Sequence, residues 1–222
     1  YTGANKKKIN VRYYMFNNHG QMLYEWINGT AKTVSSNAQL DGVASAGSAS
    51  VEDMRYYNAV EEGWRADGWY EIDGAEDTGA SDDTDWYYFK DGKAKRADKA
   101  GQQFTYPNGG KTKSTAKIKV NGKYFCFNEI GQMQTGLQYI PDAGGFYYFD
   151  DNGYMKTGKV SNVEEDNDSF TYYFNTKNGK NGLGVTGEKS GYLYWNGKRL
   201  EADDDYRIYK IGSDYYLVNS KG

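Results

Sequence analysis

Residues 118–127 read Ile-Lys-Val-Asn-Gly-Lys-Tyr-Phe-Cys-Phe. A short run ends on Val120, the Asn121-Gly122 pair follows, and a run rich in aromatic residues begins at Lys123. An Asn-Gly pair supplies the two positive φ angles of a type I′ turn, and aromatic residues favour strands, so the stretch predicts a β-hairpin. The aromatic run recurs along the chain: Tyr13-Tyr14-Met15-Phe16, Arg55-Tyr56-Tyr57-Asn58, Trp86-Tyr87-Tyr88-Phe89, Tyr124-Phe125-Cys126-Phe127, Phe146-Tyr147-Tyr148-Phe149, Tyr172-Tyr173-Phe174, Tyr192-Leu193-Tyr194-Trp195 and Tyr215-Tyr216-Leu217. Aligned on residues 16, 58, 89, 127, 149, 174, 195 and 217, the steps are 42, 31, 38, 22, 25, 21 and 22, regular in the C-terminal half. A tail repeats as well. Gly131-Gln132-Met133-Gln134-Thr135-Gly136 matches Gly153-Tyr154-Met155-Lys156-Thr157-Gly158; Gly63 to Trp69 is a looser copy, and in Gly20-Gln21-Met22 to Trp26 the second glycine is replaced by Glu25.

A two-stranded hairpin buries too little surface to stand by itself, so about eight such units are expected to stack. The expected fold is all-β, an elongated solenoid of stacked aromatic hairpins. Asn-Gly or Asp-Gly pairs occur eleven times and are read as its turns. The expected organisation is an N-terminal hairpin over 1–29, a Ser/Ala/Gly-rich loop or linker over 30–50, and a repeat array over 51–222 with a polar insertion at 98–116.

Composition agrees with a core made of rings. Ile, Leu, Val and Phe number 34 of 222 residues, against 23 Tyr, 9 Phe and 5 Trp. The 27 basic and 30 acidic side chains leave a net charge of −3, without the basic excess of a nucleic-acid binder. No apolar run approaches the roughly 20 residues that cross a bilayer, so membrane insertion is not expected. The lack of a signal peptide and of an initiating Met reads as a mature or excised piece of a longer protein. One Cys and one His exclude a disulfide framework and a thiolate zinc site, and leave few groups for acid–base chemistry at neutral pH. An enzyme, a cofactor and a metal are therefore not expected.

The pattern Gly-Trp … Trp-Tyr-Tyr-Phe … Asp-Gly-x-Met-x-Thr-Gly resembles the cell-wall-binding repeat superfamily of Gram-positive surface proteins: choline-binding modules, glucan-binding repeats and clostridial-toxin repeats. The resemblance runs from about residue 10 to 222 and is strongest over 68–92 and 117–158. It implies ligand sites between successive hairpins, where rings of neighbouring units enclose a quaternary ammonium by cation–π attraction. Trp69, after the repeat glycine, and Trp86, opening the aromatic run, match the cage positions. Elsewhere Leu137, Lys159 and Glu188 follow the glycine, and Phe146 replaces the second Trp. At most one cage is thus expected, with a sugar polymer tolerating the variation better.

Candidate ligand-binding residues are Trp64, Trp69, Tyr70, Trp86 and Tyr87, with Tyr147, Tyr172 and Tyr194 as a second tier; core packing competes for every one of them. His19 reads as a solvated turn residue and Cys126 as a small buried hydrophobe. The acidic stretches Asp82-Asp83-Thr84-Asp85, Glu164-Glu165-Asp166-Asn167-Asp168 and Asp203-Asp204-Asp205 lack the spacing of a calcium loop and read as solvated loops. The expected function is non-catalytic attachment to a cell-wall polysaccharide or choline-bearing, teichoic-acid-like polymer, extracellular and wall-associated. The alternatives are an adhesin or spacer binding host glycan or protein, and the targeting module of a wall hydrolase.

Overall fold

The structure is a computed structural model that describes residues 5–17, 19–28, 51–58, 62–75, 78–81, 83–98, 115–177 and 179–222. The stretch 30–50 and most of the 98–116 insertion lie outside the described residues, as does Asp82. The described chain is all-β, with 3-10 turns at Val51–Asp53 and Pro141–Ala143. It divides into two compact units. The first comprises 1–97 and 127–133, the second 98–126 and 134–222. The division passes through the strand Lys123–Asn128.

Each repeat is an antiparallel hairpin followed by a short returning segment. Gly68–Asp73 pairs with Thr84–Lys90, and Lys93–Ala94 returns along that second strand. The same order is found in Glu25–Asn28 with Met54–Tyr57, Gly136–Ile140 with Gly145–Phe149, Gly158–Glu165 with Asp168–Phe174, and Gly187–Lys189 with Tyr192–Trp195. The last hairpin pairs Tyr206–Ile211 with Asp214–Asn219. The returning segment is fixed by one recurrent bond: the carbonyls of Tyr56, Tyr88, Tyr148, Tyr173 and Leu193 accept from the backbone N–H of Ala66, Lys95, Lys156, Val185 and Leu200. The sequence reading expected two strands per unit; the third is too short, at two residues or a single bridge, to carry a pattern of its own.

The register defines the repeat more sharply than the aromatic runs do. The residue that opens each first strand is paired with the ring closing the second: Glu25 with Tyr57, Gly68 with Phe89, Gly136 with Phe149, Gly158 with Phe174, Gly187 with Tyr194. The aligned positions are therefore Tyr57, Tyr194 and, by the same buried placement before an Asx turn, Val218, not 58, 195 and 217. These closing residues are buried throughout.

The opening residue has positive φ in these five hairpins, +94° at Gly68 and +63° at Glu25. Left-handed backbone costs an L-residue with a Cβ roughly 1 kcal/mol. Glu25→Gly is accordingly expected to stabilise the protein by about 1 kcal/mol, read as a higher denaturation midpoint. An unchanged or lower midpoint would show that the Glu25 side chain compensates for its backbone.

The turns divide into two kinds. Asp91-Gly92, Asn121-Gly122 and Asn196-Gly197 have two positive φ angles, as a type I′ turn needs. At Asp67-Gly68, Asp73-Gly74, Asn152-Gly153 and Asn181-Gly182 only the glycine is positive, which corrects the reading of every such pair as a hairpin turn. Gly68 opens a strand, and Gly153 belongs to a loop that an acidic or amide side chain organises. In that loop the Asp150 carboxylate accepts the N–H groups of Asn152 (3.0 Å) and Tyr154 (2.9 Å). Asn17 does the same for His19 and Gln21, and Asn128 for Ile130 and Gln132. These side chains satisfy backbone donors that no strand partner reaches.

The core of the first unit is a ring cluster. Trp26 meets Tyr56 at 5.1 Å, Tyr87 at 5.5 Å and Phe89 at 5.5 Å, and Phe89 stacks on Tyr56 at 5.1 Å. In the second unit one cluster holds Cys126, Ile140, Tyr147 and Phe149, and another Val163, Tyr172 and Phe174. Burial pushes the Cys126 thiol up to about 12, so it remains protonated and unreactive at neutral pH.

Burial, with the nearby Glu25 carboxylate, raises the Tyr56 hydroxyl to about 12; burial, with Asp85, raises that of Tyr87 to about 12. The folded state thus favours the neutral phenols. Their contribution to stability is whole below pH 10, where the unfolded chain also keeps its phenols protonated, and is lost as pH rises through 12. Urea midpoints should fall between pH 10 and 12, with tyrosinate absorbance rising in step with unfolding. A midpoint flat across that window would contradict the assignment.

Candidate aromatic site

The Gly68 hairpin sorts its side chains by strand alternation. One face carries Tyr70, Ile72, Tyr87 and Phe89 and closes the core of the first unit. The other carries Trp69 opposite Tyr88 and Glu71 opposite Trp86. Trp69 and Tyr88 are half-buried and meet at 5.1 Å with their planes 68° apart, so the two rings form a corner. Phe127, the closing ring of the following hairpin and also part of the first unit, stacks on Trp69 at 5.8 Å and 25°. Trp86 stands two residues before Tyr88 on the same strand face and is 42% exposed. Glu71 and Asp73 lie on this face too, both exposed, and Asp73 accepts the Thr84 hydroxyl at 3.0 Å. The result is a half-open aromatic corner with a carboxylate across from its exposed ring. Aromatic faces and a carboxylate both favour a positive charge, and the rings favour one carrying apolar substituents.

Trp69 and Trp86 therefore fall on one face, as the repeat pattern expects of a cage. The other six candidates are placed differently. Tyr87 is fully buried in the core, and Tyr70 packs on Phe89 at 5.7 Å from the same side. Trp64 is covered by the Arg12 guanidinium 3.8 Å from its ring centre. Tyr147 is buried, and the Lys117 ammonium lies 4.6 Å from its ring and 4.7 Å from that of Tyr124, a cation held by the chain itself. Burial lowers the pKa of Lys117. Tyr172 is buried, stacks on Phe174 at 5.9 Å and donates its hydroxyl to Glu165 at 3.0 Å. Tyr194 is buried against Tyr173 at 5.7 Å. Tyr88 and Phe127 were missed in the sequence. The signal for both was the register: Tyr88 is the direct cross-strand partner of Trp69, and Phe127 closes the next hairpin.

The same three positions can be followed through the repeats. They hold Trp26, Tyr56 and Phe89 in the Glu25 hairpin, all buried and mutually packed. In the Gly136 hairpin they hold Leu137, Tyr148 and Phe174, in apolar contact within the second unit. In the Gly158 hairpin they hold Lys159, Tyr173 and Tyr194, and the Lys189 ammonium lies 5.7 Å from the Tyr173 ring. Within this series the Gly68 hairpin combines three rings with an exposed fourth.

His19 is exposed in its turn, and its backbone N–H donates to Asn17 at 2.9 Å. Glu165 is ion-paired to Lys198 at 2.9 Å. Among the described residues no group of three or more His, Cys, Asp or Glu is arranged to hold a metal ion, and no helix is long and apolar enough to cross a membrane.

No family model matches the chain, and no curated protein does. Solved structures do. One is choline-binding protein F from Streptococcus pneumoniae in the presence of a peptidoglycan analogue, at 20% identity over 100% of this chain and 93% of that one, with a TM-score of 0.32. The chain is similar to choline-binding proteins of known structure. A phage Cp-1 pneumococcal cell wall endolysin complexed with choline matches at 19% identity over 92% of this chain and 38% of that one, TM-score 0.28. Alternansucrase in complex with isomaltononaose matches at 18% identity, TM-score 0.31; all of this chain spans 16% of that one. Choline-binding proteins are among the groups named by the sequence resemblance. The superpositions are loose, and the functional reading rests on the chain's own residues.

Proposed function

We propose that the protein is a non-catalytic binding module that attaches to a bacterial cell-wall polymer, with its hairpins stacked as a solenoid outside the cell. The observation that carries the reading is the corner formed by Trp69, Tyr88 and Phe127, with Trp86 exposed at its mouth and Glu71 across from it. A small quaternary ammonium borne on the polymer satisfies this set: its methyl groups need ring faces, its charge is attracted by the ring quadrupoles and by Glu71, and it asks for no hydrogen bond. A sugar ring stacked on Trp86 is the second reading, favoured by that ring's exposure. Repeated weak contacts along one polymer strand would add through effective concentration.

The test is retention of the protein on purified Gram-positive cell walls, with free choline and soluble glucan as competitors. Retention with elution by choline is expected. Elution by glucan and not by choline would select the second reading, and no retention would overturn both.

A further inference from the structure

The series of equivalent positions ends in the Gly187 hairpin with Glu188, its cross-strand partner Leu193, and Val218 of the last hairpin. Here Leu193 and Val218 are buried and Glu188 is exposed. A cavity of about 250 Å³ lies between the two hairpins, both in the second unit, lined by Glu188, Tyr192, Leu193, Tyr206, Tyr216 and Asn219 among others. Glu188 bears the only charged side chain among the residues that line it. Two of its rings are exposed: Tyr192 by 40% and Tyr206 by 68%. The nearby Arg199 guanidinium, 5.1 Å from the Tyr192 ring, is held by Glu201 through Nε at 2.8 Å and Nη2 at 2.6 Å, which offsets its charge locally.

A carboxylate in the place of Trp69 alters what the position can accept. A ring face suits methyl groups on a cation. A carboxylate suits N–H donors, and its bond to a primary ammonium is charge-assisted, about twice as strong as a neutral one. Tyrosine hydroxyls and the Asn219 amide add donors and acceptors for hydroxyl groups. The volume holds a ligand of monosaccharide size, below the range of larger ligand pockets.

We infer that this cavity binds a protonated amino sugar, with Glu188 as the counter-ion to its ammonium and Tyr192 and Tyr206 facing its ring. It is a site separate from the Trp69 corner, and its ligand chemistry is different.

The test is a chemical-shift titration of the whole chain with glucosamine, methyl glucoside, n-butylamine and choline. Glucosamine should bind at least tenfold more tightly than methyl glucoside, which lacks the ammonium, and than n-butylamine, which lacks the hydroxylated ring. Glu188→Gln, which keeps the side-chain shape at an exposed position, should weaken glucosamine at least tenfold; Tyr206→Ala should weaken it severalfold. Trp69→Ala should leave it unchanged, which separates this site from the proposed choline corner. The inference is overturned if Glu188→Gln retains full affinity, if choline binds the cavity as well as glucosamine does, or if glucosamine does not bind.

Discussion

Phe89→Ala is expected to unfold the first unit under conditions in which the parent protein is stable. Phe89 is 1% exposed and touches Tyr56, Trp26, Tyr70 and Tyr87, so it joins the rings of two consecutive hairpins. Removing a buried Phe ring costs about 3–5 kcal/mol, the lost transfer free energy plus the cavity left behind. Whole domains are stable by only about 5–15 kcal/mol. The usual relief, collapse of aliphatic neighbours into the hole, is poor here, because the surrounding planar rings are held in edge and stacked geometries. Urea denaturation followed by tryptophan fluorescence reads the change directly, since Trp26, Trp64, Trp69 and Trp86 all belong to this unit. A loss below about 1 kcal/mol would mean that the ring cluster is not what holds the unit together.

The second large effect is on binding. Trp69→Ala removes one wall of the aromatic corner, and Trp86→Ala the ring at its mouth. Cation–π contacts contribute about 0.5–1 kcal/mol when exposed and about 2 or more when desolvated. Together the two substitutions should weaken choline binding by roughly two orders of magnitude, with Trp69 the larger share because it is the more enclosed. Trp86 is exposed and its replacement should leave the denaturation midpoint nearly unchanged, which separates lost binding from lost folding. Full retention of wall binding by the double variant would remove this corner from the site. Glu71→Gln supplies a finer check, lowering affinity for a cation and not for a neutral sugar.

Much of this architecture was legible in the sequence, for reasons that can be stated. Asn121-Gly122 and Asp91-Gly92 form the expected type I′ turns because both residues accept positive φ. Glu25 could be recognised as standing in for a glycine because the tail around it repeats, and its backbone has the glycine's conformation. The alignment slipped by one residue at Tyr57, Tyr194 and Val218, since a run such as Tyr56-Tyr57-Asn58 does not show which member pairs with the opening residue of the hairpin. The candidate site was legible only in part for a related reason. Consecutive tyrosines point to opposite faces, and which face meets the core is decided by the neighbouring hairpin. That choice buries Tyr87 and leaves Tyr88 beside Trp69. Trp64 was misleading in another way: nothing in the sequence brings Arg12, 52 residues earlier, onto its ring. Asn17, Asn128 and Asp150 passed unnoticed because one side chain capping several backbone donors has no periodic signature.

The closing ring of one hairpin seats in the corner of the hairpin before it, and this sets where the chain can be cut and rejoined. Five of the periods begin at a positive-φ residue, and the two best-matched seams read alike, Thr135-Gly136 and Thr157-Gly158. Unequal recombination at such seams gains or loses a whole period and hands each corner the closing residue of its new neighbour. A cut elsewhere separates a corner from its ring. The array is thus suited to changing in length by copying, while the residue after each seam, Trp69 in one copy and Glu188 in another, is free to change its chemistry.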